Sequence, residues 1–477
     1  MKRAVLMFTA FATFLGAANA QYWKAMGRGT IGPTEIQTLY GDSVSDRLLA
    51  GGPFLKIMND VDTILAYGQA AWDGHEWDSI AHRIAPAEGQ TFLFLRFQGK
   101  LYSCGGYIFL TPDGEANASF ARLNEETQYW EALECINADF GGMLTLVPKV
   151  PDTTLYATGY TGSICGYPLS CVFRYDGSAF HIWEPFNQIP ADNDNYVGYV
   201  FNYQGMTYMT GSFRDPLGPG YVTFLRYNGT AWEHVPGWNT LSPIKAILIQ
   251  SNTLYVAGAF RLATGGPGDL IASFDGVNWN GMGDGLLYTP VPMSSVVWDL
   301  KWFHGELLAC GLFSRAGNVP CTSIAQWNGN RWCALPGDIR WQNNAYPMLE
   351  DMAIWRDSLY ICGGINTIDG DTIRQVAQWI GGDAVGECST VGMNEPVAHS
   401  SALGVYPLDE PGSWNVQFPK AGRWTLCAFD ALGRPVGTWH SSGPSLILDL
   451  NAQVPGMYLL RASSTTGELR SAKVIRP

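Results

Sequence analysis

Charge is scarce in this chain. Charged side chains make up 15% of its 477 residues, and 29 Lys and Arg are outnumbered by 42 Asp and Glu. The net charge of −13 and pI near 5.0 argue against a polyanion partner, because phosphate backbones need clustered cations, so nucleic acid is not an expected ligand. Histidine is equally sparse. His75, His82, His181, His234, His304, His399 and His440 stand singly, with no pair at ligand spacing, which removes the usual imidazole sets for copper or zinc. No Cys-x-x-Cys pair is present, so no metal site of the zinc-ribbon type is expected. Gly-x-Ser-x-Gly and Cys-His nucleophile settings are missing too. After residue 20 no stretch approaches the roughly 18 uninterrupted apolar residues that cross a bilayer as a helix, so no transmembrane segment is expected in the mature chain.

Glycine and aromatics are abundant, and they recur. Apolar strands end at Gly52, Gly105, Gly159, Gly211, Gly258, Gly311 and Gly363, with spacings of 53, 54, 52, 47, 53 and 52 residues. A near-constant period of that size is what the four-stranded blades of a β-propeller require, and seven copies predict seven blades. Within each period another strand ends in an aromatic and a turn: Trp72-Asp73-Gly74, Tyr175-Asp176-Gly177, Tyr227-Asn228-Gly229, Phe274-Asp275-Gly276 and Trp327-Asn328-Gly329. Asp-Gly and Asn-Gly favour tight hairpins, so a fourth strand follows, marked by Trp77, Phe180, Trp232, Trp279 and Trp332. The second copy diverges, with Asn124-Glu125-Glu126-Thr127 before Trp130.

The seventh copy stops after Trp379-Ile380-Gly381-Gly382 without its tryptophan strand. The missing piece is expected at the other end of the chain. Trp23-x-x-Met26-Gly27-x-Gly29 matches Trp279 to Gly285, so residues 21–29 are read as closing the last blade, with an eight-bladed or open ring as the alternative. Ahead of them, Lys2, Arg3, an apolar run from Ala4 to Leu15 and Ala18-Asn19-Ala20 form a signal-peptide pattern over residues 1–20. An exported chain can oxidise its ten cysteines. Cys165 and Cys171 are expected to clip one loop, while Cys104 with Cys135 and Cys362 with Cys388 are expected to staple single blades. The alternative is that such cysteines act as small buried hydrophobes.

Leu101-Tyr-Ser-Cys-Gly105-Gly106, followed by Asn124-Glu-Glu-Thr-Gln-Tyr-Trp130-Glu-Ala-Leu133, resembles the kelch-like and galactose-oxidase-like propellers. The resemblance covers residues 21–388 and implies a fold rather than an activity. Most copies end in Gly-x-Phe instead of the doubled glycine of kelch.

Residues 389–401 form a polar linker, and 402–477 alternate strand and turn as a small β-sandwich. Val405-Tyr406-Pro407, Phe429-Asp430-Ala-Leu-Gly433-Arg434, Pro455-Gly456-Met-Tyr458 and Lys473-Val-Ile-Arg476 resemble the C-terminal sorting domain of type IX secretion cargo. That resemblance implies a Bacteroidota source, the type IX machinery as partner, and a secreted or surface-attached product after the tail is removed. The sorting signal would be carried by Pro407, Asp430, Gly433, Arg434, Gly456, Tyr458 and Lys473.

Chemistry is harder to find. Ser273-Phe-Asp275-Gly276-Val-Asn-Trp279 is one residue shorter than a sialidase carboxylate box, so Asp275 is read as a turn residue. No cofactor is expected, although Asp192-Asn193-Asp194-Asn195 offers alternating oxygens to a calcium ion. In such a ring the loops between second and third strands open on the same side as those between blades. The longest of them present Tyr196, Trp238, Tyr288, Trp341 and Tyr346, with Asp192 and Asp194 beside them, and rigid aromatic rings suit sugar or peptide surfaces. The expected function is binding of an extracellular glycan or protein through that face. The alternative is a carbohydrate-active hydrolase or lyase using loop carboxylates there.

Overall fold

Each Asp/Asn-Gly dipeptide closes a hairpin for a local reason. Oδ1 of Asp73, Asp176, Asn228, Asp275 and Asn328 accepts two backbone N–H bonds from residues two and three further on, at 2.6 to 3.1 Å. Asn124 builds the same cap in the second copy. The glycine after each of the five takes φ between +90° and +113°, which a side chain would strain. At Gly177 and Gly276 a Cβ would also strike the Gln98 and Gln204 amides, which donate to the carbonyls of Asp176 and Asp275.

The computed structural model describes residues 22–31, 35–80, 90–111, 114–133, 136–137, 143–146, 154–158, 163–164, 166–168, 172–192, 194–261, 269–291, 294–380, 403–408, 412–418, 422–430, 434–464 and 469–476. The protein is all-β and forms two units, residues 1–388 and 389–477.

The hairpins belong to seven four-stranded antiparallel sheets in the first unit. Their leading strands are Thr38–Asp42, Gln90–Phe97, Met143–Leu146, Tyr196–Tyr203, Ile244–Gln250, Val296–Phe303 and Leu349–Trp355, and the others follow in chain order. Each leading strand lies beside the next, and the seventh returns to the first, so the seven form a closed cycle. The last sheet is completed by Tyr22–Ala25, which pairs antiparallel with Val376–Ile380 and sets Trp23 opposite Trp379. In four places the segment entering a sheet pairs with the hairpin between that sheet's second and third strands: 29–30, 136–137, 286–287 and 339–340 each head a three-stranded sheet. The two kinds of loop therefore lie on one side.

The repeated glycines have a packing reason. A Cβ on Gly211, Gly258, Gly311 or Gly363 would collide with the carbonyl oxygen of Tyr196, Pro243, Val296 or Met348 in the segment opposite. Beside each, the leading strand carries one extra residue that pairs with nothing: Gly198, Lys245, Trp298 and Glu350, and likewise Phe92 in the second sheet. Such bulges free a side chain from the ladder. Two residues past the glycine, Phe54, Phe213, Phe260, Phe313 and Ile365 fill the core at 1% exposure or less.

Aromatic pairs tie third strands to fourth. Trp72–Trp77, Tyr175–Phe180, Tyr227–Trp232, Phe274–Trp279, Trp327–Trp332 and Trp23–Trp379 face one another with centroids 4.5 to 5.3 Å apart. Five of these indoles also reach across to the preceding sheet: Trp23, Trp77, Trp232, Trp279 and Trp332 donate Nε1–H to the carbonyls of Pro336, Met26, Pro185, Pro236 and Met282 at 2.7 to 2.8 Å. The repeated tryptophan thus packs within its own sheet and bonds to its neighbour.

The second unit has a three-stranded sheet (Gly404–Pro407, Ser413–Gln417, Ser445–Asp449) and a four-stranded one (Trp424–Phe429, Pro435–Ser441, Gly456–Ser464, Leu469–Arg476). They bury a common core that includes Trp414, Val416, Trp424, Leu426, Leu448, Tyr458 and Leu460.

The expected blade staples require correction. Cys104 and Cys362 are thiols at 1% and 0% exposure, not half-cystines, because their strands turn them into the apolar interior as small hydrophobes. Their supposed partners Cys135 and Cys388, and both Cys165 and Cys171, lie outside the described residues. Cys333 is disulfide-bonded.

Two outcomes follow. Trp23→Ala should destabilise the first unit by about 3–5 kcal/mol, the range for a buried Trp, seen as a lower urea midpoint; an unchanged midpoint would refute its closing role. Alkylation in denaturant without reductant should label Cys104, Cys310, Cys321, Cys362 and Cys427 but not Cys333, read by peptide mass mapping.

Candidate functional site

The leading strands of the sixth and seventh sheets interrupt apolar runs with charge, reading Val-Val-Trp298-Asp299-Leu-Lys301-Trp-Phe and Leu-Glu350-Asp351-Met-Ala-Ile-Trp. Lys301 Nζ lies 2.7 Å from Asp299 and 3.5 Å from Asp351. Each aspartate also accepts an N–H from the next leading strand: Met352 N donates to Asp299 at 3.0 Å and Leu39 N to Asp351 at 2.8 Å, with Thr38 Oγ1–H donating to Asp351 as well. This cluster joins three sheets inside the cycle. Burial pushes the Asp299 carboxyl up to about 7, with Lys301 opposing and Asp351 adding to the rise. Burial alone would lower Lys301, but Asp299 and Asp351 outweigh it and keep the ammonium charged.

The bulged residues bring further groups to the same region. Glu350 is hydrogen-bonded to Glu35, and burial followed by the Glu35 charge lifts it to about 8. Burial raises Glu35 too, against the bond from Glu350. Two carboxyls so placed hold a proton between them. Lys245 Nζ lies 5.0 Å from the centroid of the Trp298 ring, and burial lowers its pKa.

Shortly before Glu350 in the chain, the loops entering the sixth and seventh sheets gather an aromatic group. Tyr288 and Tyr346 meet edge to face at 5.7 Å, and the Arg340 guanidinium stacks on Tyr346 at 5.0 Å while pairing with Asp338 at 2.7 Å. A Cβ on Gly364 would touch the half-buried Trp341 ring, so that glycine gives the indole its seat. Three expected rings therefore lie on the 286–291 and 339–348 segments, and Glu350 follows directly. Arg340, Glu35, Glu350, Asp299, Lys301 and Asp351 were not singled out from sequence, although charges within apolar strands were a visible signal.

Other expected residues are elsewhere. Trp238 is packed by Phe224, Phe260 and Trp279 at 4.9 to 5.4 Å and donates to Thr223, which makes it a core ring more than a contact surface. Tyr196 begins the fourth leading strand, half-buried. Asp192 accepts from the Asp194 amide, Arg214 Nε and Tyr221 OH, which together hold it down to about 2. A guanidinium thus occupies the carboxylate expected to face calcium. Asp194 is exposed, and Asn193 lies outside the described residues. Among the described residues no group of three or more His, Cys, Asp or Glu is placed to hold a metal ion. No helix among them is long and apolar enough to cross a membrane.

In the second unit, Asp430 and Arg434 close a hairpin through a 2.7 Å ion pair and the bond from Arg434 N to Asp430 Oδ1. Tyr458 is buried and its hydroxyl donates to the Val454 carbonyl at 2.5 Å, across Gly456 at φ +152°. Pro407 pairs in register with Trp414 and Lys473 with Leu459. Gly433 lies outside the described residues.

No family model matches the chain, and no curated protein matches it. Among solved structures it is similar to the extracellular domain of a hybrid two component system of B. thetaiotaomicron, at 10% identity over 96% of this chain and 47% of that one, TM-score 0.46. PorZ, a surface component of the type IX secretion system of Porphyromonas gingivalis, is 9% identical over 95% and 85% of the two chains, TM-score 0.31. A fungal alcohol oxidase of the AA5 family, in complex with copper, is 9% identical over 96% and 99%, TM-score 0.43. The chain spans about half the length of the first two solved structures it matches. Likeness of this degree carries no argument about activity.

The carboxyl pair generates a pH dependence. Glu350 rises from an ordinary 4.5 to about 8 on folding, so the folded state keeps a proton that the unfolded chain releases. That contribution is complete below the ordinary value and is lost as pH rises through about 8, with Asp299 acting the same way nearer 7. The melting temperature should fall between about pH 5 and pH 9, and Glu350→Gln should flatten part of the decline; parallel curves for both proteins would refute the shared proton.

Proposed function

We propose that the first unit is a seven-bladed β-propeller that binds an extracellular glycan or protein through the face bearing Tyr288, Trp341 and Tyr346. The observation that carries this reading is their convergence. Two loops from different sheets bring an edge-to-face tyrosine pair and a guanidinium over one of its rings to one place, and Trp341 follows Arg340 on the same segment, its N–H bonded to the Ala345 carbonyl beside Tyr346. Planar rings beside a fixed hydrogen-bond donor suit the apolar face and hydroxyl edge of a sugar ring, and they lose little entropy when they bind. The closed cycle of leading strands and the period of the sheets support the propeller reading.

The proposal extends to delivery. Residues 1–20 act as a signal peptide and 402–477 as a type IX sorting domain, so the product is secreted or surface-attached in a bacterium of the Bacteroidota. The Asp430–Arg434 hairpin and the Tyr458 bond give that tail a rigid form for the export machinery to read.

A second reading is favoured by one observation, the carboxyl pair Glu35–Glu350, whose second member stands at the start of the strand that follows the 339–348 segment. A carboxyl holding its proton near neutrality can serve as a general acid, which is the role a hydrolase or lyase needs. The hydrogen bond puts the two groups closer than the ~5 Å or more between the carboxylates of glycosidases, so this pair stands for one proton donor rather than a nucleophile and an acid.

Glycan-array and surface-protein binding by the purified full-length protein tests both readings. Trp341→Ala or Tyr346→Ala should weaken binding at least tenfold, about 1.4 kcal/mol, with an unchanged unfolding midpoint. Release of reducing ends from a bound glycan, abolished by Glu350→Gln, would establish the enzyme. No binding by the wild type would overturn the leading proposal.

A further inference from the structure

We propose that the cleft between the first and second sheets is a binding site for a short aliphatic carboxylate. The cleft has a volume of 360 Å³, at the lower end of the ~300–1,000 Å³ over which small-molecule sites range. Its floor is apolar: Leu49, Ala71, Ile80, Leu101 and Leu123 are each 8% exposed or less. Such a surface can hold a hydrocarbon body but offers it no polar partner.

One wall is charged, and its arginine is largely paired. Arg96 forks onto Asp42 at 2.8 and 2.7 Å and also donates to Glu125 Oε1 at 2.7 Å and the Gly99 carbonyl at 2.8 Å. The side chains of Asp42 and Arg96 are 1% and 10% exposed. Asp42 further accepts from Ser45 Oγ–H at 2.6 Å and from Val44 N, so its oxygens are taken. Asp42 has no acceptor position left for a ligand, and Arg96 keeps a single Nη2–H.

Arg47 is different. It lines the same cleft, opposite Asp42 in the strand pairing, and its side chain makes no hydrogen bond or ion pair with a described residue. It acts on Asp73 only through space, and that carboxylate is already bound by the amides of its own turn. Arg47 is half-buried, and its guanidinium, without a partner among the described residues, above an apolar floor and across from an Arg96 held by Asp42 and Glu125, complements an anion with an aliphatic tail. An ammonium of the same length would be repelled by the Arg47 guanidinium, and an alcohol would leave the guanidinium's fork unfilled.

The cleft is independent of the binding face proposed above. Val44 and Ser45 come from the turn between first and second strands, and Glu125 and Gln128 from the hairpin between third and fourth, so it lies on the side opposite the loops that carry Tyr288 and Tyr346.

Calorimetric titration of the full-length protein with hexanoate, hexylamine and hexanol tests the assignment. Hexanoate should bind with Kd on the order of 1 mM or tighter, the others at least tenfold more weakly, and rising salt should weaken hexanoate alone. Arg47→Gln should weaken hexanoate at least tenfold while leaving the melting temperature and glycan binding as in the wild type. Absence of hexanoate binding, equal binding of the three probes, or an unchanged hexanoate affinity in the variant would each overturn the proposal.

Discussion

The first unit depends on a few backbone hydrogen bonds made by residues from its two ends. Tyr22–Ala25 supplies the outer strand to the sheet that ends at Ile380, and the indole of Trp23 caps the junction from both sides, against Trp379 and onto the Pro336 carbonyl. Without that strand the seventh sheet would expose an unpaired edge. Because the partners are so remote in sequence, their pairing is an expensive loop closure, favourable only after the intervening sheets have formed. The other six sheets are built from local hairpins, which need no such wait.

Cohesion between sheets has two layers. At the outside, the repeated indole bonds to a carbonyl of the preceding sheet; near the centre, Asp299 and Asp351 accept amides of the following one. Charge is costly to bury, and the cluster tolerates it because Lys301 lies between both carboxylates and backbone donors fill the remaining positions. The same residues that could be taken for catalytic groups are thus also structural ties. The Glu35–Glu350 pair has no such tie to the backbone among the described bonds, which is why it and not the aspartate cluster is offered as a proton donor.

Much of the fold was legible because its signals are local. Asp275 could be recognised as a turn residue from the glycine after it, and Trp23 could be matched to Trp279 because the same indole contacts recur at each copy. The cysteines misled because repeat position was read as chemistry: Cys104, Cys310 and Cys362 pair in register where Thr210 and Ala257 stand in other sheets, an inward position that asks only for small volume. Trp238 misled in the opposite way, since a ring on a long loop can fold back onto Phe224 and Phe260. The Glu35–Glu350 pair was invisible because its members come from opposite ends of the unit and meet only when the cycle closes.

The unpaired extra residue in five of the seven leading strands has a consequence of its own. Equivalent positions are held by Phe92, Gly198, Lys245, Trp298 and Glu350: aromatic, absent, basic, aromatic and acidic. Since none belongs to a hydrogen-bonded rung, the inner wall can be rewritten letter by letter while the scaffold behind it keeps its grammar. A lineage built on this plan can change the side chains at these positions without relearning how to fold.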